Sequence, residues 1–372
     1  MNTIEKIISA IPNCSRITDE DKVLYEEFLK SEGKKYPYHY SRSWIFVKQI
    51  SNGRGIKYFD KKKEHLITIA PNWGEDAPNY IFLPLGVDAI QSVPFLAKEL
   101  SRVLEEEIFA KKIYGSENKD YLTKNGFQEI PSSGNTDFKK LDDDKYPEIV
   151  CSVDDIIKAT FGFVPSVKMD SFRNHIRKIK KKIFFGKYEV MEKNLAKDLQ
   201  KPFHELVDRW SSDIAERTAK QFEKGADVKE IKKWMANVYY PHFIDEYADK
   251  VDNKNIIAYM TFFNNRPVAF TSAYPINQNC LAVNASFCDV EYEGLIQYQF
   301  FSLAARAKLL GYKYLNLGSN DMESQHLYKS TMGKVAEVYP YILNFADVSL
   351  GGPRENRTPD SSLRTTRNAT LL

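Results

Sequence analysis

Apolar positions between residues 280 and 333 change period from two to about three and a half and back, which spells out alternating strands and helices. CLAVNASFC, Cys280–Cys288, predicts a strand, DVEYEG (289–294) an acidic loop, and 295–311 a helix. A second strand follows at 312–318, and a short helix ends in Leu327-Tyr328-Lys329-Ser330-Thr331-Met332-Gly333. Upstream, 255–263 and 266–274 alternate as a hairpin whose turn, Asn264-Asn265, tolerates positive φ. A strand is expected at 188–191, with helices at 196–220 and 226–247 carrying Trp210 and Trp234 at helical spacing, as core or lid aromatics.

The preceding half has the same grammar. β-rich runs fall at 44–50, 56–60, 65–70 and 80–84, broken by turn formers such as Ser51-Asn52-Gly53. A helix is expected over 87–112, with Leu96, Leu100, Val103 and Leu104 on one face and Pro94 early, where the first turn accepts it. This half closes on Tyr121-Leu122 followed by Gly126-Phe127, and the second half closes on Leu327-Tyr328 followed by Gly333. Repetition of one closing phrase after two β-then-helix halves points to a tandem duplication. The phrase resembles the ending of GNAT acyltransferase domains. The expected architecture is α/β (α+β): two GNAT-like domains, 1–165 and 166–348, with mixed sheets flanked by helices.

Between the halves, Phe172, Ile176, Ile179 and Ile183 share one face of a helix whose other face carries Arg173, Arg177, Lys178, Lys180 and Lys181. Such a face either holds the phosphates of a nucleic acid or is the solvated side of a linker helix.

Composition narrows the class. With 372 residues, 43% hydrophobic and 13% aromatic, the chain suits two packed domains, and a net charge of +3 matters only where it is concentrated. Cys14, Cys151, Cys280 and Cys288 have no metal spacing and fit buried thiols of a reducing compartment; no metal is expected. Glu5 and Lys6 interrupt any signal-peptide core and no apolar run nears a membrane span, so a cytoplasmic location is expected. Residues 349–372 hold almost no large apolar side chain and are expected to be disordered. Their Arg-Glu-Asn-Arg-Thr-Pro can be encoded by the antisense strand of a transfer-RNA T-loop, so the tail is either a read-through product or an ordinary polar tail.

The acidic loop bears on the chemistry. In a coenzyme-A-dependent GNAT domain a basic, glycine-rich loop and the following helix N-terminus cradle the pyrophosphate. Residues 291–297 keep one glycine, Gly294, lack the basic residue and add Asp289, Glu291 and Glu293. A carboxylate about 4 Å from a phosphate costs roughly 1 to 4 kcal/mol, so coenzyme A is disfavoured and no cofactor is expected. Of the histidines, only His326 lies near the proposed cleft as a candidate general base.

The basic helix, the hairpin, the stretch DVEYEGLIQYQFFSLAARAKLLGYKYLNLGSND and LYKSTMG together resemble the phosphatidylglycerol lysyltransferase C-terminal-domain family, and more distantly the Fem aminoacyltransferases, over roughly residues 20–345. That resemblance implies aminoacyl or acyl transfer, with aminoacyl-tRNA as donor and an amine, peptide or lipid hydroxyl as acceptor. The lysyltransferases also carry a membrane-spanning half, which this sequence lacks. Matching the family pattern, Lys329 would stabilise an oxyanion, Asp321 would orient or deprotonate the acceptor, and Tyr328 would act as an acid or only pack. Asn284, Glu291, Gln297, Asn316 and Asn320 would bind substrate. On spacing alone, Asn320 with Glu323 is equally an ordinary capping box. An acyl-CoA N-acyltransferase with a degenerate loop, and a non-catalytic RNA- or protein-binding module, are the competing readings.

Overall fold

The computed structural model describes residues 2–33, 35, 37–51, 54–71, 79–130, 146–161, 169–219, 227–239, 248, 256–319 and 323–345. They fall into two units, one of residues up to 130 with 338–345, the other of 146–337. The tail from 349 lies outside the described residues, as do 240–247 and the side chain of Trp234.

The first unit contains helices α1 (Thr3–Ala10), α2 (Lys22–Glu32), α3 (Trp44–Ser51), α4 (Val93–Leu104) and α5 (Ser116–Lys124). Its strands are β1 (Cys14–Arg16), β2 (Ile56–Asp60), β3 (His65–Ala70), β4 (Asn79–Leu85), β5 (Ile108–Tyr114), β6 (Phe127–Glu129) and the last strand among the described residues, β14 (Pro340–Phe345). They form one sheet in the order β1-β2-β3-β4-β5-β14-β6. Two expectations need correction here. Residues 44–50 are helical: Phe46, Val47, Ile50 and Ser51 are buried at helical spacing, and the Ser43 hydroxyl accepts from the Phe46 amide at 3.0 Å as a cap, so burial overrides the β propensity of the run. The helix expected over 87–112 stops at Leu104, where Glu105 turns left-handed (φ 59°), and 108–114 becomes an interior strand in which Ile108, Ala110, Ile113 and Tyr114 are buried.

The second unit begins with β7 (Glu148–Ser152), α6 (Val153–Thr160), α7 (Asp170–Phe184), β8 (Val190–Asn194), α8 (Gln200–Ala219) and α9 (Val228–Tyr239). It continues with β9 (Ile257–Phe263), β10 (Arg266–Asn277), β11 (Cys280–Cys288), α10 (Leu295–Leu309), β12 (Tyr314–Asn316), α11 (Glu323–Ser330) and β13 (Lys334–Val338). The sheet order is β13-β7-β12-β11-β10-β9-β8. The hairpin turn is as expected, Asn264 and Asn265 both having positive φ (50° and 65°). α10 lays Phe300, Leu303, Ala304 and Ala307 on the sheet, and α7 buries Phe172, Ile176 and Ile179. At about 1.5–3 kcal/mol per buried large side chain, these faces rather than helix propensity hold both helices in place.

Read from opposite directions the two sheets match strand for strand, with one exchange. The place between β5 and β6 is filled by β14, from the end of the chain, and the equivalent place between β12 and β13 is filled by β7, which follows the first half in sequence. In both sheets one parallel pair interrupts antiparallel neighbours, β4 with β5 and β11 with β12, and each pair is joined over only three residues. Beyond those pairs the strands part, which opens a cleft in the sheet without breaking its order.

Candidate active site

β11 pairs with β12 from Cys280 to Ala282 and then runs on to Cys288 paired with β10 alone. Opposite β10, Ser272 pairs with Ala285 and Ala273 with Val283, so Asn284 is the extra residue of a β-bulge, the device that bends a strand and re-aims its side chains. The cleft lies between this bulged strand and residues 317–319 that follow β12.

Its far wall is polar and buried. The Asn316 amide donates to Glu148 Oε2 at 2.9 Å, and Asn316 Oδ1 accepts from the Gly318 amide at 2.8 Å. Lys329, on α11 and fully buried, donates from Nζ to the carbonyls of Leu317 (2.7 Å) and Ser319 (3.3 Å). A buried ammonium is costly unless hydrogen-bonded, and these carbonyls fix its charge where the strands separate. Next to it, the Tyr328 ring is part-exposed while its hydroxyl is buried with no hydrogen-bond partner, and burial, with the nearby Cys288 thiol second, holds the phenol well above its usual pKa. Gln297, on the first turn of α10, likewise has a buried Oε1 with no partner. Orphaned buried polar atoms are rare and call for a missing partner. Phe300 packs into the core instead. Asn320 and Asp321 lie outside the described residues.

The acidic loop is the near wall, and each of its acids is paired. Asp289, almost fully buried, accepts from Arg266 Nη2 (2.9 Å) and Arg209 Nε (3.3 Å). Glu291 meets Arg266 at 3.3 Å, and Glu293 pairs with Lys178 of α7, with His175 at 3.7 Å. Three backbone donors here are also engaged: the Glu291 amide bonds Asp289 Oδ1 at 3.2 Å, that of Tyr292 the Asp289 carbonyl at 3.4 Å, and that of Leu295 the Tyr292 carbonyl at 3.0 Å. Burial, and then Asp289, push the Cys288 thiol up to about 12. Gly294 has φ 88°, and a Cβ there would stand 2.5 Å from the His175 carbonyl oxygen. The glycine retained in the loop is thus where the backbone of α7 rests against the start of α10.

Of the cations expected to contact nucleic acid, Lys178 is tied to Glu293, Arg173 to Asp170 at 2.9 Å, and Lys180 lies 3.9 Å over the Phe301 ring. Arg177 and Lys181 are exposed. His326 stacks on Tyr146 (centroids 5.1 Å apart), and burial lowers its pKa.

Three groups of residues escaped the sequence reading. Glu148 starts a short strand whose partner is distant in the chain, so nothing local marks it. Arg209 and Arg266 sit on separate elements and converge only on Asp289. Gln299, fully buried, bonds Thr261 Oγ1 at 2.9 Å and accepts from Thr271 Oγ1 at 3.1 Å, pinning α10 to β9 and β10. A glutamine among the apolar positions of that helix was the available signal.

Two mixed sheets flanked by helices, matching strand for strand, put this chain in the tandem GNAT-like class of fold. Within that class the chain belongs to the phosphatidylglycerol lysyltransferase C-terminal family, whose model matches residues 156–346. Among solved structures it is similar to a conserved protein of unknown function from Bacteroides thetaiotaomicron, at 17% identity and TM-score 0.62, covering 90% of this chain and all of the other. It is also similar to the C-terminal domain of a putative lysylphosphatidylglycerol synthetase from Agrobacterium fabrum, at 10% identity and TM-score 0.50, covering 88% and 94% of the two chains. No curated protein matches by sequence. Among the described residues no helix is long and apolar enough to cross a membrane.

Proposed function

We propose that the second unit transfers an aminoacyl group from aminoacyl-tRNA to an amine or hydroxyl acceptor without coenzyme A. The observation that carries this reading is the state of the loop before α10. Its amides at Glu291, Tyr292 and Leu295 are engaged within the protein, and Gly294 is closed against the His175 carbonyl. A pyrophosphate would have to displace those bonds and approach three carboxylates. Family membership supports an aminoacyl ester as the donor instead.

In this reading the ester carbonyl enters where β11 and β12 part. The acceptor nitrogen or oxygen attacks the carbonyl carbon, the bond to the ribose oxygen breaks, and the proton lost by the acceptor ends on that oxygen. Lys329 stabilises the oxyanion, a contribution of about 3–4 kcal/mol for one well-placed donor. Tyr328, whose hydroxyl has no partner among the described residues, donates towards the leaving oxygen. Gln297, Asn284 and Asn316 shape the pocket, Glu291 borders it, and Asp321 with Asn320 receives the acceptor.

A donor comparison tests this. Calorimetry should show coenzyme A binding no tighter than millimolar, about −4 kcal/mol, while charged tRNA is retained and deacylated in the presence of an acceptor amine. Micromolar affinity for acetyl-coenzyme A would overturn the reading. Lys329→Gln should reduce transfer by about 10²–10³-fold, and a melting curve would separate that loss from unfolding.

A further inference from the structure

The C-terminal end of α7 presents an apolar tip inside a basic collar. Phe184 and Phe185 are 84% and 69% exposed, and Phe161, at the end of α6, is 69% exposed. Large exposed aromatics grouped in this way are uncommon on a soluble surface and mark contact sites. Cations lie over the rings at this end of α7: Lys180 is 5.5 Å over Phe161 and 3.9 Å over Phe301, and Lys181 is 6.0 Å over Phe185. Lys182 and Lys187 flank Tyr188 at 5.8 and 5.9 Å. Gly186 turns the chain at φ 70° with open space around it, so the two phenylalanines stand at a projecting corner. From Ser171 to Met191 the sequence holds seven lysines and arginines against one acid, Glu189.

We infer that this tip docks the protein on the surface of an anionic phospholipid bilayer, the phenylalanines entering the interface and Arg177, Lys181, Lys182 and Lys187 meeting the headgroups. Apolar side chains beside a lysine-rich face are what interfacial binding requires, and each cation near an anionic leaflet adds roughly fivefold in affinity. A lipid surface fits better than RNA. Phe184 and Phe185 are packed edge to face at 5.3 Å, so the two rings present no parallel faces on which successive bases could stack. Lys178 and Arg173, nearer the middle of the helix, are already paired. The inference stands on α7 and its neighbours and does not depend on the donor chosen above.

The full chain is floated with vesicles of phosphatidylcholine alone, or containing phosphatidylglycerol or phosphatidylserine. It should bind both anionic preparations and not the neutral one, because the collar reads charge and not a headgroup. Binding should weaken at least tenfold in high salt, and at least tenfold in the double variant Phe184→Ser, Phe185→Ser, whose fold circular dichroism should show unchanged. Equal binding to neutral vesicles, or undiminished binding by the double variant, would overturn it. So would a double variant that loses retention of uncharged tRNA while the parent ignores all vesicles.

Discussion

The carbonyl oxygen of His175 in α7 stands 2.5 Å from the point where a Cβ on Gly294 would sit. This backbone-to-backbone approach sets α7 across the start of α10 and brings Lys178 to Glu293.

Gly294→Ala should therefore cost both left-handed strain, about 1–2 kcal/mol, and overpacking of a further 1–3 kcal/mol. Gly186→Ala, at φ 70° with nothing within 4 Å, should cost only the first. Denaturant midpoints of the two variants, at unchanged slope, check the difference; equal midpoints would show that α7 does not rest on the loop.

Asp289→Asn should lower stability by about 1–3 kcal/mol, since it leaves two arginine partners without their carboxylate. The lower end is expected, because Arg266 is 41% exposed and water can compensate it. A double-mutant cycle with Arg266→Gln should show coupling between the two positions; strict additivity would argue against the pair.

The chain should lose stability on mild acidification through His326. Burial depresses its pKa in the folded state, so the neutral ring is favoured there. Its contribution is present above the unfolded value near 6.5, declines as pH falls below that, and is lost once pH drops through the folded pKa. The stability slope in this window should flatten in His326→Gln. Persistence of the full slope would assign it to other groups.

No thiol should react with a mild alkylating reagent in the native protein at pH 8. Burial raises the pKa of all four, Cys14 and Cys288 to about 12 and Cys151 and Cys280 further, so thiolate is scarce and access is poor. Mass spectrometry should find four adducts after denaturation. Rapid native labelling at Cys288 would show that the end of β11 opens to solvent.

Elements with strong local periodicity were legible in the sequence: Cys280–Cys288 as a strand, α7 with its apolar Phe172, Ile176 and Ile179 face, and the Asn264-Asn265 hairpin. The runs that misled were short. Trp44–Ser51 is rich in residues that favour strands but buries a helical face, and Ile108–Tyr114 continues a helical-looking pattern yet fills an interior strand position. At the site, Lys329, Tyr328, Gln297 and Asn316 could be named from motif positions. Their partners could not, because Glu148 is separated from Asn316 by 168 residues and Arg209 from Asp289 by 80.

By itself the sequence determined what local chemistry can determine: two β-then-helix halves ending in one phrase, an amphipathic basic helix, and an acidic loop with a single glycine. Only the tertiary structure decided that β7 and β14 fill each other's places in the two sheets, because strand pairing is a long-range hydrogen-bonding choice that leaves no periodic trace. It also decided that the loop's acids are held by Arg266, Arg209 and Lys178, and that Lys329 is buried against two carbonyls. Charge is visible in a sequence, whereas its compensation depends on which distant side chains the fold brings within a few ångströms.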